Sequence, residues 1–268
     1  MTETHVRDGV TNELREFAEL PVRHLTWDDG GKIIRHLQDR FCAVVAPTRA
    51  VVTAMNVGNG EVPSLLDEVR DLVPADVHTD WYIGPSACPN GIVDELKALG
   101  LGEPADSRGA LHALLLTEEP RGVPPEVETH EVSSMSDHAD AAEVRWEAFG
   151  LPLEQREHER GFLVTSYQEY QRAKDRSTIS FVTTVEGKVA GAASALISDR
   201  GLFLIGGSIA PWARGRGVYR ALIAARWQYA VQRGTPALAV HAAQDTSSPI
   251  LRRAGFKHIC TMRHLEGL

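Results

Sequence analysis

The 268-residue sequence contains no run near the roughly 18 to 20 apolar residues that a membrane-spanning helix requires. Cysteine is scarce. Cys42, Cys88 and Cys260 are far apart, odd in number and without CxxC spacing. That excludes a disulfide framework or a cysteine-rich zinc site and suits a reducing compartment. The eleven histidines are scattered, with no HxxxH or HExxH, so no metal site is expected. An excess of positive charge is also missing. The net charge is −8 and the pI about 5.8, which argues against a general nucleic-acid binder. The opening residues, MTETHVRDGVTNELREF, are polar and acidic without an apolar core. No secretory signal is expected from them, and a cytoplasmic location follows as an expectation.

What positive charge there is lies in one place. Residues 1–124 carry 11 Lys/Arg against 20 Asp/Glu, whereas residues 125–268 carry 17 against 16. Between 214 and 253 there are seven arginines and one acid, Asp245. A cluster of this size fits a small polyanion rather than a long duplex, and no nucleic acid or membrane partner is expected.

Thr117 to Glu128, with three prolines and a glycine, separates two patterned regions. Upstream, FCAVVAPTRAVVTAMNV reads as two short strands joined at Pro47–Arg49. Val62, Leu65, Leu66, Val69, Leu72 and Val73 recur at helical spacing, with Pro63 tolerable in the first turn. TDWYIGP reads as a strand, Asn90–Leu99 as a helix stopped by Gly100, and LHALLLT as a strand. Downstream come VETHEVS as a strand and a helix over Asp137–Phe149 capped by Ser136. A second helix runs through 156–174 with Gly161 interrupting it. Strands ISFVTTVEG, KVAGAASALIS and LFLIGGSIAP follow. Val218–Arg233 reads as a helix with an apolar face of Tyr219, Leu222, Ile223, Trp227, Ala230 and Val231, stopped by Gly234. A strand ALAVHAA, a short helix SPILRRAGF and a strand HICTMRHLE complete the chain. The two halves echo each other weakly: Pro89…Gly100–Leu101 matches Pro249…Gly255–Phe256.

The stretch IAPWARGRGVYRALI (Ile209 to Ile223) carries the chemistry. A strand that runs into glycines and then a helix presents unpaired N–H groups at the positive end of the helix dipole. Gly215 and Gly217 would let a pyrophosphate approach the backbone. Arg214, Arg216 and Arg220 add charge. A P-loop would need GK[ST] where Val218–Tyr219 stand, and a dinucleotide fingerprint would need a small residue at Arg220 and an acid some twenty residues on.

With the element order around it, this motif resembles that of the GCN5-related N-acetyltransferase (GNAT) superfamily. A strand ending Ile209-Ala210-Pro211 leads into Arg214-Gly215-Arg216-Gly217-Val218-Tyr219 and a helix. The resemblance implies a mixed α/β sheet in tandem arrangement: a partial GNAT-like domain over 1–120 and a complete one over 125–268. It implies an acyl-CoA-dependent N-acyltransferase that uses acetyl-CoA as co-substrate, by direct attack of an amine in a ternary complex. The alternative is a non-catalytic acyl-CoA-binding module. By position, Gly207, Ser208 and Ile209 would face the pantetheine arm and thioester. Arg214, Gly215, Arg216, Gly217, Val218, Tyr219 and Arg220 would hold the pyrophosphate, and Gln244 would contact the cofactor.

Two positions depart from the pattern. Tyr219 replaces a small residue, and Leu251 stands where many members carry a tyrosine that protonates the leaving thiolate. Ser247 and Ser248 are nearby hydroxyls whose expected role is to cap the short helix. The acceptor would be a small-molecule or peptide amine, and a homodimer is an allowed assembly. For the base, Glu147 between Trp146 and Phe149 is the first candidate, on the expectation of partial burial. Glu154, Glu157, His158 and Glu159 are expected on a solvated face. His241 is expected as a satisfied core or edge histidine.

Overall fold

The computed structural model describes residues 6–7, 9–26, 33–105 and 110–268. The reading of Met1–His5 as free of a leader therefore lies outside the described residues. In chain order the elements are β1 (Val6–Arg7), β2 (Val10–Thr11), α1 (Asn12–Glu19), β3 (Ile34–Leu37), β4 (Cys42–Val45), β5 (Arg49–Thr53), α2 (Val62–Leu72), β6 (His78–Ile83), α3 (Ile92–Ala98) and β7 (Leu111–Leu116). After the linker come β8 (Val127–Glu131), α4 (Met135–Ala148), α5 (Leu153–Arg160), α6 (Leu163–Ala173), β9 (Thr178–Val185), β10 (Lys188–Ile197), β11 (Leu202–Ile209), α7 (Val218–Gln232), β12 (Leu238–Ala243), α8 (Ser247–Arg253) and β13 (Lys257–Glu266).

Eleven strands form one mixed sheet in the order β3-β4-β5-β6-β13-β7-β12-β11-β10-β9-β8. Each half contributes the same run, strand, helix, strand, helix, strand: β5-α2-β6-α3-β7 and β11-α7-β12-α8-β13. In both runs the first two strands are parallel. The third strands cross over. β7 pairs antiparallel with β12 of the other half, while β13 pairs antiparallel with β6 and, along its first residues, with β7. The two halves thus share one sheet through an exchange of their final strands.

Apolar spacing explains where the cores lie. On α2 the buried residues are Val62, Leu65, Leu66 and Val69, the i, i+3, i+4, i+7 stripe, and they pack against Trp81 and Ile83 of β6. On the other half, α7 packs against the sheet through Ala221, Leu222, Ile223, Trp227 and Ala230. That inward face agrees with the spacing at Leu222, Ile223, Trp227 and Ala230 and departs from it at Val231. Val231 is exposed, while Arg226 and Tyr229 are buried. α1, which sequence spacing did not reveal, covers the opposite face of β7 and β12 with Phe17 and Ala18.

The start of α4 is a correction of two residues. Ser134, not Ser136, is the cap. Its hydroxyl accepts from the Asp137 N–H while the Asp137 carboxylate accepts from Ser134, closing a capping box. Burial works against that carboxylate, but donors from Ser133 and Ser134 outweigh it and hold its pKa at about 2. α8 is a second correction. Its cap residue is Thr246, with no side-chain cap bond, so neither Ser247 nor Ser248 caps it. Ser248 is buried and bonds His112 Nδ1 at 2.8 Å instead.

The interlocked strands make a direct prediction. If a protease site is placed at Gly122 and cut, the two segments are expected to co-elute in size-exclusion chromatography and to part only in denaturant. Separation under native conditions would contradict the strand exchange.

Candidate functional site

The glycine loop sits where the sequence put it, between β11 and α7. Gly217 is the N-cap of α7 at φ 80°, Gly215 has φ 79°, and no side chain caps the helix. The first-turn N–H groups therefore face outward unsatisfied, beside the positive end of the dipole. The two glycines differ in their surroundings. A Cβ on Gly215 would meet open space, which is the cradle a phosphate needs. A Cβ on Gly217 would strike Pro124 Cγ at 2.4 Å. The linker thus occupies the approach the sequence reading had reserved for ligand, and Gly217 is required by the turn and by Pro124.

Gly215, Arg216, Arg220 and Arg253 border a crevice of about 410 Å³ between the loop and α8. Arg220 and Arg253 also border an adjoining one of about 760 Å³ beneath the linker, where Arg220 Nη1 lies 3.4 Å from the Gly122 carbonyl. Arg216 is paired with Glu186 at 2.6 Å in an exposed contact of the kind that contributes little. Arg214 is exposed outside this crevice, and Val218 is buried in the core. Gln244 is exposed at the end of β12, with its backbone N–H on the Ala110 carbonyl.

β11 and β12 pair only at Leu202↔Leu238 and Phe203↔Ala239, then diverge. Opposite the divergence, the β10–β11 register shifts between Ala192 and Ser194, a bulge at Gly206–Gly207 with Gly206 at φ 60°. The strand there is exposed and its polar backbone is turned off the ladder. Ser208 is buried with its hydroxyl donating to the Ala192 carbonyl, so only its backbone is free to serve a ligand. Tyr219 is half-buried, and its ring stands 3.1 Å from where a Gly207 Cβ would be. Burial raises its pKa, so it stays a neutral phenol.

The opening continues into a cavity of about 650 Å³ that both halves line. Gly206, Gly207, Tyr219, Leu251 and Ser247 form one side, and Arg49, Tyr82 and His264 the other. Asp80, 1% exposed, holds His264 Nε2 at 2.7 Å and Arg49 Nε at 2.5 Å. Burial works against the Asp80 carboxylate, but His264 and Arg49 outweigh it and hold its pKa at about 2. Tyr82 stacks on His264 with ring centroids 4.7 Å apart. These residues fell outside the sequence reading because they come from three separate strands, two in the half without a motif and one, β13, from the other half.

The base candidates fare unevenly. Glu147 is exposed and does not line the cavity, since Trp146 beside it turns inward and takes the buried position. The burial expected of it is absent. Glu154, Glu157, His158 and Glu159 lie on α5, which has no buried residue. His241 does line the cavity, with Nε2 3.0 Å from the Ala18 carbonyl. A carbonyl only accepts, so Nε2 carries the proton. Burial lowers its pKa to about 4, with the carbonyl contacts of Ala18 and Glu19 offsetting only part of the effect. Among the described residues no group of three or more His, Cys, Asp or Glu could hold a metal, and no helix is long and apolar enough to cross a membrane.

Comparison with known proteins follows the same lines. Residues 139–256 match the model of the Acetyltransferase (GNAT) family. Among solved structures, a GCN5-related N-acetyltransferase from Kribbella flavida superposes with a TM-score of 0.68 at 16% identity, over 94% of this chain and 95% of that one. A tandem GNAT protein from the clavulanic acid biosynthesis pathway gives 0.58 at 13%, over 85% and 78%. A GCN5-related N-acetyltransferase from Sphaerobacter thermophilus gives 0.56 at 17%, over 87% and 81%. No curated protein matches by sequence.

His241 predicts a pH dependence. Its folded pKa lies below the unfolded 6.5, so its contribution to stability is intact above about 6.5 and falls as pH drops toward 4. His24, His138 and His258 are shifted down too and act in the same direction. Thermal unfolding from pH 7 to pH 4 should therefore show a smaller loss for His241→Gln than for the wild type, by up to about 3 kcal/mol. Parallel curves would contradict it.

Proposed function

We propose that the protein, whose residues 139–256 match the model of the Acetyltransferase (GNAT) family, is an acyl-CoA-dependent N-acyltransferase. The observation that carries this is the conjunction of an uncapped α7 start, open at Gly215, with the β11–β12 divergence a few residues upstream. The crevice of Gly215, Arg216, Arg220 and Arg253 would hold the pyrophosphate, and the N–H groups of Val218, Tyr219 and Arg220 would donate to it. The arm would run along Gly207, Ser208 and Ile209. A backbone N–H at the Gly206–Gly207 bulge would meet the oxygen that becomes negative as the thioester carbonyl is attacked. Acetyl-CoA is the donor this reading begins from.

The reaction balances within one cavity. The neutral amine nitrogen forms a bond to the thioester carbon, the C–S bond breaks, and the thiolate leaves. Its pKa, near that of a cysteine, makes the departure possible without the usual acid, whose position Leu251 holds. The ammonium proton needs an acceptor. His264 lines the cavity with Nε2 committed to Asp80, leaving Nδ1 as the basic nitrogen. His241 is excluded by burial. Cytoplasmic location and a small amine acceptor belong to this same reading.

A second reading has its own observation: the Tyr219 ring lies over Gly207 and Leu251 is fully buried, as in a binding module without turnover. Release of free thiol over a panel of amines separates the two.

Acetyl-CoA at a hundred times its dissociation constant should stabilise the protein by about 2.7 kcal/mol. Arg216→Glu should weaken binding about tenfold or more, and Tyr219→Ala should strengthen it by clearing Gly207. Absence of any melting shift with acetyl-CoA and longer thioesters would refute the proposal. His264→Gln should lower kcat about a hundredfold, with acetyl-CoA affinity unchanged. Glu147→Gln serves as the comparison, since the acid it removes lies outside the cavity.

A further inference from the structure

Arg226 is a cation in the wrong place for a purely structural residue. It stands on α7, 1% exposed, among the largest fully buried side chains of the protein. Among the described residues no carboxylate meets it. Its Nε donates to the Leu222 carbonyl of its own helix at 2.9 Å, and Nη1 reaches the Ser194 carbonyl at a long 3.4 Å. Nη2 is buried with no partner at all. Desolvation lowers its pKa to about 10, which leaves the guanidinium charged at neutral pH. A charge in this condition is costly, and an apolar side chain of similar volume would cost less.

The residue borders the shared cavity of about 650 Å³. Among the described residues no aspartate or glutamate lines that cavity, and Arg49 is the other arginine that does. The Arg49 guanidinium is already engaged by Asp80. The walls around Arg226 are apolar, including Leu196, Leu204, Val240 and Leu251. One unpaired nitrogen with two N–H groups in an apolar wall suits a carboxylate, which accepts two hydrogen bonds with a single charge. A phosphate dianion would require a second free cation, and the neighbouring group, Tyr219, is neutral.

We propose that the cavity receives a carboxylate carried by one of the two substrates, with Arg226 Nη2 as its receptor. This rests on the acyl-transfer reading above and narrows it to a substrate class. Two sources supply the same chemistry. The carboxylate is either the far end of a dicarboxylic acyl group on coenzyme A or the carboxylate of an amino-acid-like acceptor.

The test compares isosteres by calorimetry on the full chain. Succinyl-CoA and butyryl-CoA differ in a carboxylate against a methyl. α-Amino acids and their decarboxylated amines, titrated in the presence of coenzyme A, differ in the same group. The carboxylate-bearing member of one pair is expected to bind about tenfold tighter or better to the wild type. The preference should fall to about twofold or less in Arg226→Met and survive in part in Arg226→Lys. Preference within the first pair assigns the carboxylate to the donor, and preference within the second to the acceptor.

Equal affinity within both pairs, with coenzyme A itself bound, overturns this inference and leaves the acyl-transfer reading standing. If no thioester binds, that reading fails, and glutarate alone decides on Arg226. Thermal stabilisation of the wild type but not of Arg226→Met keeps the receptor, and no stabilisation removes it. The wild-type comparisons need no variant, so a failure of Arg226→Met to fold does not shield the proposal.

Discussion

The rest of the structure depends on the pairing of β7 with β12 on one side and β13 on the other. A two-stranded parallel unit with its helix cannot close a sheet alone, and each half of this chain offers such a unit with one edge open. The antiparallel strand that closes each edge comes from the opposite half. Ladder hydrogen bonds therefore make the eleven-stranded sheet indivisible, and the apolar cores on both sides of it grow from that continuity.

The same exchange builds the cavity. β13 carries His264 across to lie beside Asp80 of β6, and β12 diverges from β11 directly next to it. The polar cluster that β5, β6 and β13 assemble is thereby set opposite the bulged β11, in one space walled by both halves. Neither half holds all the groups that acyl transfer to an amine would use. The linker adds a third part, since Pro124 packs on Gly217 and Gly122 receives Arg220, tying the glycine loop to the join between halves.

Much of the framework was legible in the sequence because it rests on local signals. The stripe Val62, Leu65, Leu66, Val69 and the glycine–helix–glycine frame of Gly217 and Gly234 state their elements within a short stretch of chain. The glycine loop between β11 and α7 was legible for the same reason. What failed was the choice between two nearby caps and whatever depends on partners distant in sequence. Ser134 caps α4 because Asp137 answers it, and the nearer-looking Ser136 has no such reciprocity. Gly217 was read as ligand clearance when a linker proline, far back in the chain, fills that space. Arg226 reads as an ordinary helix residue between Ala225 and Trp227, and only the packing of α7 on β10 reveals that it is buried. Asp80, Arg49 and His264 are brought together by strand order alone.

The exchange of final strands also sets an order in time. β6 is made early and β13 long after it, with the whole of the second half between them. During synthesis the first half has its helices and its parallel pair but no closing strand, so its open edge at β6 must wait. A nascent chain of this kind exposes an unpaired β edge for the length of time the ribosome takes to cross the second half. The topology that gives the finished molecule its shared cavity makes its birth the interval in which a stray strand, from a neighbouring chain or the same one, finds the strongest invitation to pair.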